Sequence, residues 1–309
     1  MGIRIKTNVQ SLIAQRHLGA NQANASKRMS RLASGSRINK AADDAAGLAI
    51  SENLRADVRS LSQAQRNAND SISLLQVAEG GLQEITSIMI RLKELSIQAA
   101  SDTVGIRERE FLNREFMALK HEIDRIAIST DYNGTRLLVG NKELDEQLMD
   151  GHNYSPLEFQ IGQDYFLPPD SLESPNPVNI IRADFSEMNA TVGGEGSLGI
   201  GTPEDEDGTR IDSKIGAQRT INQLDSALQK VASYRASIGA IQNRLTSTDR
   251  NLSVAIENLS SAKSRIKDAD FAQETAELTQ ANILSQSGAS VLMQANQMPN
   301  IALKLINAG

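Results

Sequence analysis

A chain of 309 residues with 39% apolar residues, 3% aromatics and no Trp does not build cores around large rings. Its net charge of −6 gives no general attraction to nucleic acid or to an anionic membrane, and the absence of Cys rules out disulfides, thiolate metal sites and thiol catalysis. No run of 18 apolar residues is present, so membrane insertion is not expected, and the opening "MGIRIKTNVQSLIAQRHLGANQ" lacks the continuous apolar core and cleavage site of a secretory signal.

Proline placement divides the chain. Residues 1–155 and 204–298 contain none, whereas the middle, about 140–210, holds six of the seven and the Gly-rich run "TVGGEGSLGIGTPEDEDG". Proline breaks helix interiors, so its absence permits long helices in both flanks, and the middle reads as a different kind of structure. In the first flank, Leu75, Ala78, Leu82, Ile85, Met89 and Leu92 alternate spacings of three and four. Gly105 in "SDTVGIRERE" breaks the pattern, and a further helix is expected from Arg107 to about Ser129. Asn133-Gly134 then marks a tight turn. "LEFQIG", "VNIIRADF" and "NATVGG" read as short strands.

In the second flank, Leu224, Val231, Ile238, Leu245, Leu252, Leu259 and Ile266 recur every seven residues, a seam of the coiled-coil kind. A helix of some 45 residues there would run roughly 65–70 Å. The expected fold is mainly α: an antiparallel helical bundle or coiled coil formed by the two flanks, with a small β and loop insert between them. The last helix offers a stripe of Leu284, Val291, Ala295, Met298, Ala302 and Leu305, and the first offers Ile5, Val9, Leu12 and Ile13. These stripes can cover one another. Ile283, Leu292, Ile301, Leu303 and Ile306 are additional, so apolar surface on more than one face argues for helices from other chains.

No catalytic constellation emerges. "GEGSLG", Gly194–Gly199, matches a dinucleotide fingerprint, but Pro203 and the acids Glu204–Asp207 follow instead of a helix start, so a plain loop is favoured over a nucleotide-binding enzyme. The basic run around Lys27, Arg28, Arg31, Arg37 and Lys40 has no interleaved aromatic and reads as a helix face or an intersubunit loop rather than a nucleic-acid patch. His17, His121 and His152 are isolated, which disfavours zinc, and no cofactor is expected. The acids near Glu115 alternate with arginines and read as surface ion pairs. Six N-x-S/T triplets are expected by chance in a chain this rich in Asn and Ser.

"RLASGSRINKAADDAAGLAISENLRADVRSLSQAQRNANDSISLLQVAEGGLQEI", Arg31–Ile85, closely resembles the N-terminal region of bacterial flagellins, and "SRIKDADFAQETAELTQANILSQSGASVLMQANQMPNIALKLI", Ser264–Ile306, resembles their C-terminal region. The resemblance covers roughly 1–140 and 211–306. It implies the subunit of an extracellular flagellar filament used for motility, not an enzyme, exported unfolded through a type III-type channel. It also implies three layers: residues 1–44 with 268–309 as inner terminal helices, 45–140 with 211–267 as a helical shell, and 141–210 as a reduced outer insert. Filament packing would then fall on Ile5, Val9, Leu12, Leu284, Val291, Leu292, Met298, Ile301 and Leu305. Implied partners are further copies of the chain, an export chaperone that holds residues near 268–306, and cap and junction proteins. Arg91, Leu95 and Glu115 match positions at which a Toll-like receptor contacts many flagellins. Two alternatives stand beside this one: the related hook–filament junction protein and a coiled-coil scaffold inside the cell.

Overall fold

The computed structural model describes residues 8–140, 156–163, 179–186, 188–193, 196–202 and 209–307, with the backbone alone over 299–307. Among these residues are five helices, α1 (Val9–Ser34), α2 (Ala45–Ala99), α3 (Ile106–Ser129), α4 (Lys214–Lys267) and α5 (Phe271–Asn307). Two hairpins accompany them, β1 (Asp131–Tyr132) with β2 (Thr135–Arg136) and β3 (Leu157–Gln160) with β4 (Ile180–Ala183), both antiparallel.

Four of the five helices begin at a polar side-chain cap, whereas α3 follows Gly105 without one. Asn8 accepts from the Ser11 amide at 3.1 Å and Asp44 from Gly47 at 2.9 Å. Ser213 accepts from Gly216 at 3.1 Å, and Asp270 accepts from Ala272 and Gln273 at 2.9 and 3.2 Å. Such side chains satisfy amide donors that the first turn leaves without a helical partner. α1 ends on Gly35, whose φ of 66° is the left-handed cap that a Cβ disfavours. α2 ends where Arg109 reaches back to the Ala99 and Ser101 carbonyls at 2.8 and 2.9 Å.

The chain forms two compact units. Residues 59–256 contain the main core. Leu75, Ala78, Leu82, Ile85, Met89 and Leu92 of α2 are fully buried, and so are Leu224, Ile238 and Leu245 of α4. α3 adds Phe116, Lys120, Ile123 and Ala127 at helical spacing. Polar pairs fix the register. Gln65 donates to Ser253, Asn69 to Asp249, Gln242 to Glu79, and Lys93 pairs with Asp225. From 65 to 93 the α2 number rises by 28 while the α4 number falls by 28, from 253 to 225, so the helices run antiparallel.

The middle segment folds onto α3 in this unit. Leu137, Leu138, Ile161, Ile181, Phe185, Val192, Leu198, Ile200 and Ile211 join the same core. α3 also grips the segment through polar side chains directed at backbone. Asn113 accepts from the Ile211 amide at 3.1 Å, and Asp124 accepts from Val192 at 2.7 Å. The buried Lys120 ammonium donates to the carbonyls of Ile200, Thr202 and Thr209. Asn133 at φ 52° and Gly134 at φ 81° form the tight turn between β1 and β2. "NATVGG" departs from the strand expectation: its described residues make one isolated bridge, Val139 with Asn189, because Asn189 turns its side chain onto the Thr191 amide and hydroxyl instead.

The other unit comprises 1–58 and 257–309. Here α1 and α5 pair antiparallel. Asn8 donates to the Ala295 carbonyl at 2.7 Å and Ser11 bonds Asn296 at 2.7 Å, while Arg28 at the far end of α1 bonds Glu274. The two connecting segments run together. Arg37 donates its amide to Lys267 at 2.7 Å, Ala269 donates to Gly35 at 3.0 Å, and Ser36 bridges Asp268.

Candidate assembly surface of the terminal helices

The α1–α5 seam is built from small residues. On α5 the covered positions are Glu274, Leu278, Ala281, Ser285, Gly288, Leu292 and Ala295, alternately four and three apart. On α1 they are Ser11, Ala14, Leu18, Asn21, Ala25, Arg28 and Leu32, alternately three and four apart. A Cβ built on Gly288 would sit 3.5 Å from Leu18, so the backbone approaches its partner closely here. At the loop end the seam becomes ionic. Glu274 is buried and accepts from Arg28 at 3.1 Å and Arg31 at 3.2 Å, while Arg28 also pairs with Glu277 at 2.6 Å. Lys27 meets Asp43 at 2.7 Å. That hydrogen bond, helped by the Lys40 and Asn39 amides, holds the Asp43 carboxyl down to about 2.

This seam corrects the sequence expectation that Val9 and Leu12 cover Leu284, Val291 and Met298. All five are exposed, Leu12 by 57% and Met298 by 54%, and among the described residues of that stripe only Ala295 is buried. The reason is steric. Small residues every seven positions allow the helices to come close, and the branched side chains at neighbouring positions are turned outward. Leu292 is half-buried at the seam edge. Ile5 and the side chains of Ile301 and Leu305 lie outside the described residues. Pattern reading missed Met29, Met293 and Phe271, which are exposed by 57%, 61% and 69%. It also missed the buried Glu274, whose signal was an acid in phase with Ala281, Gly288 and Ala295.

Arg91 and Glu115 lie on the surface of the other unit, joined at 2.9 Å, and Arg91 also bonds Glu94 at 3.1 Å. Those two carboxylates raise the Arg91 pKa. Leu95 is buried in the core and presents no surface. "GEGSLG" leads into no helix: its described residues are turns and bends, with Gly196 and Gly199 at positive φ, and α4 starts only at Lys214. Among the described residues, no group of three His, Asp or Glu is placed to hold a metal, and no helix is long and apolar enough to cross a membrane.

A helical frame with outward apolar side chains on its terminal pair fits a structural protein. Comparison with known proteins sharpens that class. The bacterial flagellin N-terminal helical region matches residues 5–143, and the bacterial flagellin C-terminal helical region matches residues 221–306. The chain is 39% identical over 304 residues to the flagellar filament 33 kDa core protein of Treponema phagedenis, covering 98% of this chain and 99% of the relative. Flagellins of Halalkalibacterium halodurans and Bacillus subtilis are each 38% identical, over 302 and 319 residues, covering 98% of this chain and 99% and 100% of theirs. The chain belongs to the bacterial flagellin family and is a structural subunit of the flagellar filament.

Proposed function

We propose that filament growth proceeds through the outward apolar positions of α1 and α5, with Val9, Leu12, Leu284, Val291 and Met298 covered by terminal helices of neighbouring subunits. Ile5, Leu292, Ile301 and Leu305 belong to the same set. The observation that carries this reading is that Val9, Leu12, Leu284, Val291 and Met298 are exposed although their helices are already paired. Burying one such side chain contributes roughly 1.5–3 kcal/mol, so a handful per subunit supports stable association. A contact between two different faces of identical subunits repeats without closing and yields a helical polymer.

Three layers follow from the family resemblance: 1–44 with 268–309 innermost, 45–140 with 211–267 around them, and 141–210 outside. The same resemblance supports export of the unfolded chain without a cleaved signal, custody of the sticky α5 by a chaperone, and contact with cap and junction proteins at the filament ends. Toll-like receptor recognition of the free subunit would use Arg91 and Glu115 directly, with Leu95 acting only from the core beneath them.

Deletion of Ser290–Gly309 tests the central reading. The shortened chain should remain monomeric on seeding, while the melting of the 59–256 unit stays where it is. Normal filaments from the shortened chain overturn the proposal.

A further inference from the structure

Methionine is distributed unevenly between the two units. Six of the eight methionines lie among the described residues. Met89 and Met188 are buried at 0% and 4% exposure and Met117 packs against the same core, all in residues 59–256. Met29, Met293 and Met298 are exposed by 57%, 61% and 54%, and all three stand on the terminal helix pair. Met29 also lines an open groove of about 440 Å³ with Ala25, Ala33 and Leu278.

We infer that Met29 at one end of the helix pair, and Met293 and Met298 at the other, are peroxide-sensitive modification sites that switch the terminal helices between assembling and non-assembling states. The inference rests on the assembly surface proposed above, which includes Met298 and is extended here to Met29 and Met293, exposed on the same helix pair. In each step the thioether sulfur attacks hydrogen peroxide and gives up two electrons. The O–O bond breaks, one oxygen becomes the sulfoxide and the other leaves as water. The product is polar and chiral where an apolar, flexible chain stood, and its S=O acceptor must lose water when a neighbouring helix covers it. None of the three side chains lies in the core of either unit, so oxidation leaves the fold of the subunit intact. A reductase acting on methionine sulfoxide reverses the change. Within an assembled filament the same sulfurs are covered, so susceptibility belongs to the free subunit.

The test treats purified full-length chain with hydrogen peroxide and maps added oxygen by peptide mass. Met29, Met293 and Met298 should oxidise at least about tenfold faster than Met89 and Met188. The oxidised chain should keep its melting curve, yet require on the order of ten- to a hundredfold more subunit before seeded polymerisation begins. Treatment with methionine sulfoxide reductases of both epimer specificities should restore growth, and the triple variant M29L/M293L/M298L should polymerise equally with and without peroxide. The inference is overturned if the three sulfurs are oxidised and growth is unchanged, or if reductase fails to restore it. Failure of the untreated wild-type chain to polymerise through these helices instead removes the assembly reading beneath it.

Discussion

The two units use one sequence period in opposite ways. In residues 59–256 the seven-residue repeat points large side chains inward: Leu224, Val231, Ile238 and Leu245 are at most 1% exposed. In the terminal unit Ala281, Gly288 and Ala295 repeat with the same period at the seam, and Leu284, Val291 and Met298, three residues further along, face out. Burial of large residues within one chain gives a core that stands alone. Burial of small ones gives a pair that is close but poor in hydrophobic stabilisation, because area removed from water scales with side-chain size. The terminal helices therefore hold their shape modestly and leave large apolar groups exposed.

The contrast is broken most forcefully by matched truncations. Ile238→Ala should lower the stability of the 59–256 unit by about 2–5 kcal/mol, whereas Val291→Ala in the free subunit should change it by less than about 0.5 kcal/mol. Denaturant melts of the monomer measure both, and a large loss at Val291 would place it inside a private core. Next in size, Ala295→Leu should overpack the small-residue seam at a cost of about 1–3 kcal/mol, read from the melting of α1 and α5 by hydrogen exchange. Gly35→Ala should cost about 1 kcal/mol through backbone strain alone, since φ is 66° and the space around a new Cβ is open.

The smallest effect is a pH dependence, and its sign differs between the units. Asp43 is held below its ordinary value by Lys27, so its contribution is fully present above the unfolded carboxylate range and is lost as pH falls from about 4 toward 2. Asp124 is pushed up by burial, with the Val192 amide opposing. Its charged form is the disfavoured one, so its contribution is greatest when protonated and declines as pH rises through its raised range. Thermal melts between pH 2 and 7 should show a flatter acid limb for Asp43→Asn and a steeper one for Asp124→Asn. Identical pH profiles for the two variants contradict this assignment.

The comparison also shows where pattern reading succeeds. Helices α2, α3 and α4 were legible, and so were the inward faces of α2 and α4, because large apolar residues at spacings of three and four leave one physical solution. The hairpin turn at Asn133-Gly134 was legible because both residues tolerate positive φ. The α1–α5 seam was not. Reading apolarity selects the large apolar residues, whereas the most buried seam positions are Ser11, Ala14, Ala281, Ala295 and the ion-paired Glu274, which carry almost no hydrophobic signal. The grip of Asn113, Lys120 and Asp124 on the insert was equally invisible, since each bonds the backbone of residues about 70 to 100 positions away.

By itself, then, the sequence determined the period, the proline-free lengths, the hairpin turn and the family. These follow from local geometry and from residue type, which a linear string records in full. Only the tertiary structure decided which of two heptad stripes on α5 meets α1 and which is left exposed. That choice depends on how closely two backbones can approach, a property of the helix pair that neither segment carries alone.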